Sequence, residues 1–195
     1  MNLLHTVRSL VLGMPKLVSG GRPGERAGAE RLASVILEAQ DASPLVLISP
    51  AFTAGSTLPT RYSVEGASES PPLRWGRPPR GTQSFALVVE DPDAPTINPF
   101  VHWLVADLEP SRMELSEGIP AEGADYLVQG KNSMLREGFT GAAPPKGDDP
   151  HRYVFQLFAL DKRLGLEPGF GREALFKAMR GHIIGYGETT ALFAR

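Results

Sequence analysis

The stretch DPHRYVFQLFALD, residues 149–161, reads as a β-strand that is apolar on both faces. Side chains alternate along a strand, so His151, Tyr153, Phe155 and Leu157 share one face, and Arg152, Val154, Gln156 and Phe158 share the other. Such a strand must be covered on both sides, which puts it inside a sheet rather than at an edge. An imidazole and a phenol side by side at its mouth are out of place there unless neighbouring groups satisfy them.

Working outward, four more runs have strand character: PLVLIS (44–49), TQSFALVVE (82–90), FVHWLVADL (100–108) and DYLVQG (125–130). They are rich in Val, Leu, Phe and Tyr and bounded by Pro, Gly or Asp. The segments 82–90 and 100–108 are again apolar on both faces, so with 152–161 they are expected to form the centre of the sheet. REALFKAMRGH (172–182) reads as a helix with Ala174, Leu175, Ala178 and Met179 inward and Gly181 as its stop, followed by a last strand from Tyr186 to Phe193. With 21 Gly and 18 Pro in 195 residues, the composition favours a mainly β domain with many turns. The expected boundary lies near residue 43, with a helical N-terminal extension over 1–43 and the β-domain over 44–195. In the extension Leu3, Leu4, Val7, Leu10 and Val11, and then Ala29, Leu32, Ala33, Ile36 and Leu37, recur at helical spacing on either side of SGGRPG. Those two apolar faces make the extension a candidate homodimer interface.

Composition also excludes classes. The formal net charge is −2 and the basic residues are scattered, which is not the footprint of a nucleic-acid binder. There is no cysteine, hence no disulfide, thiolate metal site or Cys nucleophile. The apolar run Leu10–Leu12 is broken at Gly13 and Pro15, too early for a secretory signal, and no stretch has the length of a membrane span, so a cytoplasmic protein is expected.

Two further features bear on chemistry. EDPDAPTINPFVHWLV (90–105) carries Asp91 and Asp93 on a proline-stiffened connector and then His102 in the returning strand. Simple alternation groups His102 with Leu104 and Ala106, opposite Val101, Trp103 and Val105. His151 follows the irregular loop TGAAPPKGDDP. Two imidazoles and two carboxylates at the ends of buried strands are expensive to desolvate separately and would satisfy one another by converging. No G-x-S-x-G, H-E-x-x-H or phosphate-cradling G-x-x-x-x-G-K-[ST] motif is present, and histidines on different strands give no diagnostic metal spacing.

PPLRW (71–75), DPDAPT (91–96), HWLV (102–105), PPKG with HRY (144–147 and 151–153) and GHIIGYGETTALFAR at the C-terminus resemble the phosphatidylethanolamine-binding protein family, in particular its bacterial branch related to Raf kinase inhibitor protein. The resemblance spans about residues 45–195. It implies a large antiparallel sheet packed on a smaller one and a small anion pocket lined by Asp91, His102, Pro144, Pro145, His151 and Tyr153, with Asp93 at the rim. Where the family commonly has Gly before the two prolines this chain has Ala143, which would narrow the mouth if the position required positive φ. The implied activity is binding of a small phosphorylated or anionic ligand, such as a phosphate monoester or phospholipid head group. A kinase or protease is the candidate protein partner, and no cofactor or metal is expected. The alternative is a hydrolase or metal-dependent enzyme built on Asp91, His102 and His151.

Overall fold

The computed structural model describes residues 26–195. The apolar segment from Leu3 to Val11 and the SGGRPG link lie outside the described residues. Two sheets make the fold. The larger has six strands in the order β1-β9-β8-β4-β5-β7, namely β1 Ser43–Pro44, β9 Ile183–Phe193, β8 His151–Leu160, β4 Ser84–Asp91, β5 Phe100–Leu108 and β7 Val128–Gln129. The smaller joins β2 Leu47–Ile48, β3 Leu73–Trp75 and β6 Glu114–Leu115. The three doubly apolar segments are the interior strands β4, β5 and β8, as their patterning requires.

All pairings in the large sheet are antiparallel except β1 with β9, so the sheet is mixed at that edge. The run 44–49 is not one strand. Leu45 N–H donates to the Tyr186 carbonyl of the large sheet at 2.7 Å, while the Val46 carbonyl accepts from Gly76 beside the small one at 2.9 Å, so the chain changes sheets between them. Gly187 permits the crossing, since a Cβ built there would sit 1.8 Å from the Leu45 carbonyl oxygen. Strands β3 and β6 are two or three residues long, too short to show a period of two.

The sheet is covered on both faces. Phe85, Leu87, Val89, Trp103, Val105, Phe155 and Leu157 meet Leu47, Leu73, Trp75 and Leu115 of the small sheet. On the opposite face Ala86, Val88, Leu104, Phe158 and Leu160 pack under Leu175, Phe176 and Met179 of α2, Arg172–Met179, and under Ala33 and Ala39. Fully burying one such aliphatic or aromatic side chain is worth about 1.5–3 kcal/mol, so these two layers carry most of the folding drive.

The chain before β1 forms three short pieces rather than one continuous helix: 3-10 turns at Ala29–Arg31 and Ala39–Asp41 around α1, Ala33–Ile36. Glu38, in the left-handed region at φ 52°, separates the last two. A buried polar network fixes α1 to the sheet. The Glu90 carboxylate accepts from Ala33 N at 2.8 Å, Gln156 Nε2 at 2.9 Å and Arg172 Nε at 2.6 Å, and Gln156 Oε1 accepts from Ser34 N at 2.9 Å. The first amides of a helix have no intrahelical acceptor, and here two sheet side chains supply one each.

Candidate functional site

Antiparallel pairing of β4 with β8 brings the end of the first strand beside the start of the second, in register at Glu90 and Val154. Asp91 therefore stands next to His151, and the carboxylate Oδ2 lies 2.7 Å from the imidazole Nδ1, with both side chains buried. The other Asp91 oxygen accepts from the Asp93 backbone N–H at 2.8 Å, a tight local turn made in DPDAP.

His102 reaches the same place by a β-bulge. Val89 pairs with Trp103 but Glu90 pairs with Val101, so one step of β4 faces two of β5 and His102 is the extra residue. The alternation expected for this strand is thereby corrected. Trp103 enters the layer between the sheets, Val101 joins the layer under α2, and His102 turns to the face of Tyr153. The His102 and Tyr153 rings meet edge-on with centroids 5.0 Å apart, and the Phe100 ring packs on His102 with centroids 4.8 Å apart. His102 Nδ1 lies 2.8 Å from the Thr140 carbonyl, so it carries the proton and donates it there.

Electrostatics separates the two histidines. Burial pushes the His102 pKa down, and the nearby Asp91 and Thr140 carbonyl only partly offset this, so the ring is neutral with Nε2 as an acceptor. Burial would also lower His151, but the hydrogen bond and charge of Asp91, assisted by Asp148, override it and hold the imidazole above its ordinary value. Tyr153 is buried beside them, and burial together with the Asp91 charge drives its pKa far up, so it remains a neutral phenol. Its hydroxyl has no hydrogen-bond partner among the described residues, and the Ala143 backbone N–H faces it without closing a bond of ordinary geometry.

Asp93 is turned to another task. Its carboxylate forms a two-pronged pair with Arg152, Oδ2 to Nε at 2.8 Å and Oδ1 to the terminal nitrogen at 2.6 Å, and accepts the Arg152 backbone N–H at 2.9 Å. Burial raises its pKa, but these three donors outweigh that and hold it below the usual carboxylate range. Pro144 is buried while Ala143 and Pro145 are exposed, and Ala143 is not among the residues with positive φ, so alanine fits there without strain. Trp75 and Trp103 are core aromatics.

Compared with known proteins, residues 48–194 match the family described as phosphatidylethanolamine-binding protein. A UPF0098 protein of Pyrococcus abyssi is 39% identical over 155 residues, covering 77% of this chain and 86% of the relative. One of Methanothermobacter thermautotrophicus is 40% identical over 147 residues, covering 74% and 95% respectively. The chain belongs to the phosphatidylethanolamine-binding protein family. Among solved structures, it is similar to a phosphatidylethanolamine-binding protein homologue from Chlamydia trachomatis at 37% identity and a TM-score of 0.72, covering 79% of this chain and 99% of that one. It is also similar to YbcL of E. coli, a member of the same family, at 31% identity and a TM-score of 0.74, covering 77% and 98%. Membership of this family makes it a ligand-binding protein in general terms.

Sequence reasoning misses several residues around the family face. Arg195 donates from Nε to the Pro144 carbonyl at 2.7 Å, and its own carbonyl accepts from Gly147 N at 3.0 Å, so the C-terminal residue pins the PPKG loop. Asp148 and Arg26 stand over the outer nitrogen of His151. A cavity of about 390 Å³ opens there, lined by Arg26, Asp93, Asp149, Pro150, His151, Arg152 and Leu192. Asp148, three residues before His151, is the one with a local signal; Arg26 and Arg195 are brought in from distant parts of the chain and have none. Among the described residues no group of three or more His, Cys, Asp or Glu side chains is arranged to hold a metal, and no helix is long and apolar enough to cross a membrane.

Proposed function

We propose that the protein binds a small phosphorylated or anionic group, a phosphate monoester or a phospholipid head group, at the face formed by Asp91, His102, His151, Tyr153 and the Ala143–Pro145 loop. The observation that carries this reading is the buried Tyr153 hydroxyl, unpartnered among the described residues, beside a histidine whose pKa Asp91 raises above its ordinary value. A buried polar group without a partner costs about 1–3 kcal/mol, and an incoming oxyanion would remove that penalty. His151, held by Asp91 at Nδ1, offers its Nε2–H; Tyr153 offers its hydroxyl and Ala143 its backbone N–H. Charge-assisted hydrogen bonds are worth about 1.5–3 kcal/mol each, so two or three correspond to micromolar to millimolar affinity. Calorimetric titration with phosphorylethanolamine and with inorganic phosphate is expected to give heat with the parent and to lose it in His151→Ala. Absence of heat with both ligands would end this reading.

A second reading has one specific observation in its favour: the Asp91–His151 pair at 2.7 Å is the geometry of an oriented general base. Turnover of a phosphate monoester that disappears in His151→Ala would favour it over binding alone. Modulation of a kinase or protease, a cytoplasmic setting and self-association through residues 1–40 extend the proposal on the sequence resemblance and the sequence patterning. Light scattering of the full chain against a chain starting at Ser43 tests the last of these, and equal subunit numbers would remove it.

A further inference from the structure

Arg26 lies outside the stretch matched to the family, which begins at residue 48, yet its guanidinium stands against His151 of the site. One terminal nitrogen makes three contacts: the Asp93 carbonyl at 2.8 Å, Asp148 Oδ2 at 2.9 Å and His151 Nε2 at 3.2 Å. The backbone holds it there, because the following residues Ala27 and Gly28 donate to the carbonyls of Ala94 and Pro92 at 3.2 and 2.9 Å, alongside the DPDAP connector. Arg26 and His151 line the same cavity.

This contact is unstable in one charge state. An imidazolium and a guanidinium both only donate, so when His151 is protonated at both nitrogens its Nε2–H and Arg26 have no bond to each other and compete for Asp148, which lies a long 3.4 Å from Nε2. An anion entering the cavity would resolve the conflict by accepting from both. Among the described residues Nε and the second terminal nitrogen of Arg26 make no hydrogen bond, which leaves a fork of donors open to a planar or tetrahedral oxyanion.

We propose that Arg26 is a further ligand of the bound anion, supplied by the segment preceding the family domain, and that it selects doubly charged phosphate monoesters over singly charged carboxylates. This rests on the site reading above and adds a residue and a selectivity to it. The test is calorimetric titration of the full chain with inorganic phosphate, phosphorylethanolamine and acetate at pH 7, for the parent, Arg26→Ala, Arg26→Lys and His151→Ala. Arg26→Ala is expected to weaken both phosphate ligands about tenfold, equivalent to about 1.4 kcal/mol, and acetate much less. Arg26→Lys keeps the charge without the fork and is expected to fall between, which separates ligand loss from any folding defect of the alanine variant. No heat in the parent with either phosphate ligand overturns the site reading and this inference together. Binding that is lost in His151→Ala but equal or tighter in Arg26→Ala, or a phosphate-to-acetate preference unchanged by Arg26→Ala, overturns the inference alone.

Discussion

Replacing Tyr153 with phenylalanine removes one hydroxyl and leaves the aromatic contacts in place, including the edge-on packing with His102 at 5.0 Å. In the free protein that hydroxyl is buried with no hydrogen-bond partner among the described residues. A buried polar atom in this state destabilises the fold by about 1–3 kcal/mol, so its removal is expected to stabilise the free chain by about 1 kcal/mol or more. For a chain of this size that raises the thermal midpoint by about 2–4 °C per kcal/mol. Ligand binding should move the opposite way. Loss of a hydrogen bond to a charged acceptor removes about 1.5–3 kcal/mol, a weakening of about ten- to hundredfold for phosphate or phosphorylethanolamine. Scanning calorimetry and titration calorimetry on the same two preparations read both quantities. A core tyrosine that only packs would give neither opposite sign. If Tyr153→Phe lowers the midpoint, the hydroxyl has a structural partner; if it stabilises the chain without weakening the ligand, the hydroxyl is not part of the binding site.

Other perturbations test the frame and the charge states. Glu90→Gln places an amide where three donors converge, leaving Arg172 without its carboxylate, and is expected to destabilise by about 3–5 kcal/mol in urea unfolding; a loss below about 1 kcal/mol would show the network to be dispensable. Gly187→Ala must separate β1 from β9, since its Cβ would overlap the Leu45 carbonyl, and a destabilisation of several kcal/mol is expected, whereas an unchanged unfolding midpoint would show that the edge relaxes freely. Anion affinity should fall as pH rises through the His151 pKa, which lies above 6.5, because the charged form is the one that donates at both nitrogens. His151 also stabilises the fold below 6.5 and loses that contribution as pH rises through its folded value, while His102, with its pKa lowered, contributes above 6.5 and loses it as pH falls through its own folded value. His151→Gln should abolish the first dependence in unfolding experiments and leave the second; retention of both would reassign the titrating group.

What the sequence made legible follows from which signals are local. The three interior strands announce themselves because burial on two faces writes an unbroken apolar run into 84–91, 100–108 and 151–160. Asp91, His102, His151 and Tyr153 were reachable through the resemblance of DPDAP, HWLV and HRY to one family, while alternation by itself put His102 on the wrong face. A single inserted residue reverses facing, and no residue type at 101–103 marks the bulge. The small-sheet strands β3 and β6 were hidden by their length of two or three residues, and the single run read over 44–49 hid the change of sheet between β1 and β2. Arg26 and Arg195 were hidden because a side chain that acts from another segment leaves no pattern around itself.

Two adjacent carboxylates show how the same buried group serves two ends. Glu90 and Asp91 point to opposite faces of β4, and both are withdrawn from water. Glu90 is well supplied: a helix amide, an amide side chain and a guanidinium all donate to it, and among the described residues none of these partners is a buried side-chain atom left without a hydrogen bond. That is how a buried charge is made tolerable, and it fixes α1 and α2 to the sheet. Asp91 is also satisfied, by His151 Nδ1 and the Asp93 amide, but the groups it organises are not. It holds the His151 pKa above its ordinary value, with the outer nitrogen shared uneasily between Asp148 and Arg26, and it lies beside a phenol with no partner among the described residues. Nothing in folding requires polar capacity to be gathered on one buried face and left open there, since an apolar Phe at 153 would pack as well. A buried hydroxyl left unpaired beside Asp91, set against the paired groups around Glu90 one residue away, is the physical reason to locate ligand binding on that face of the strand.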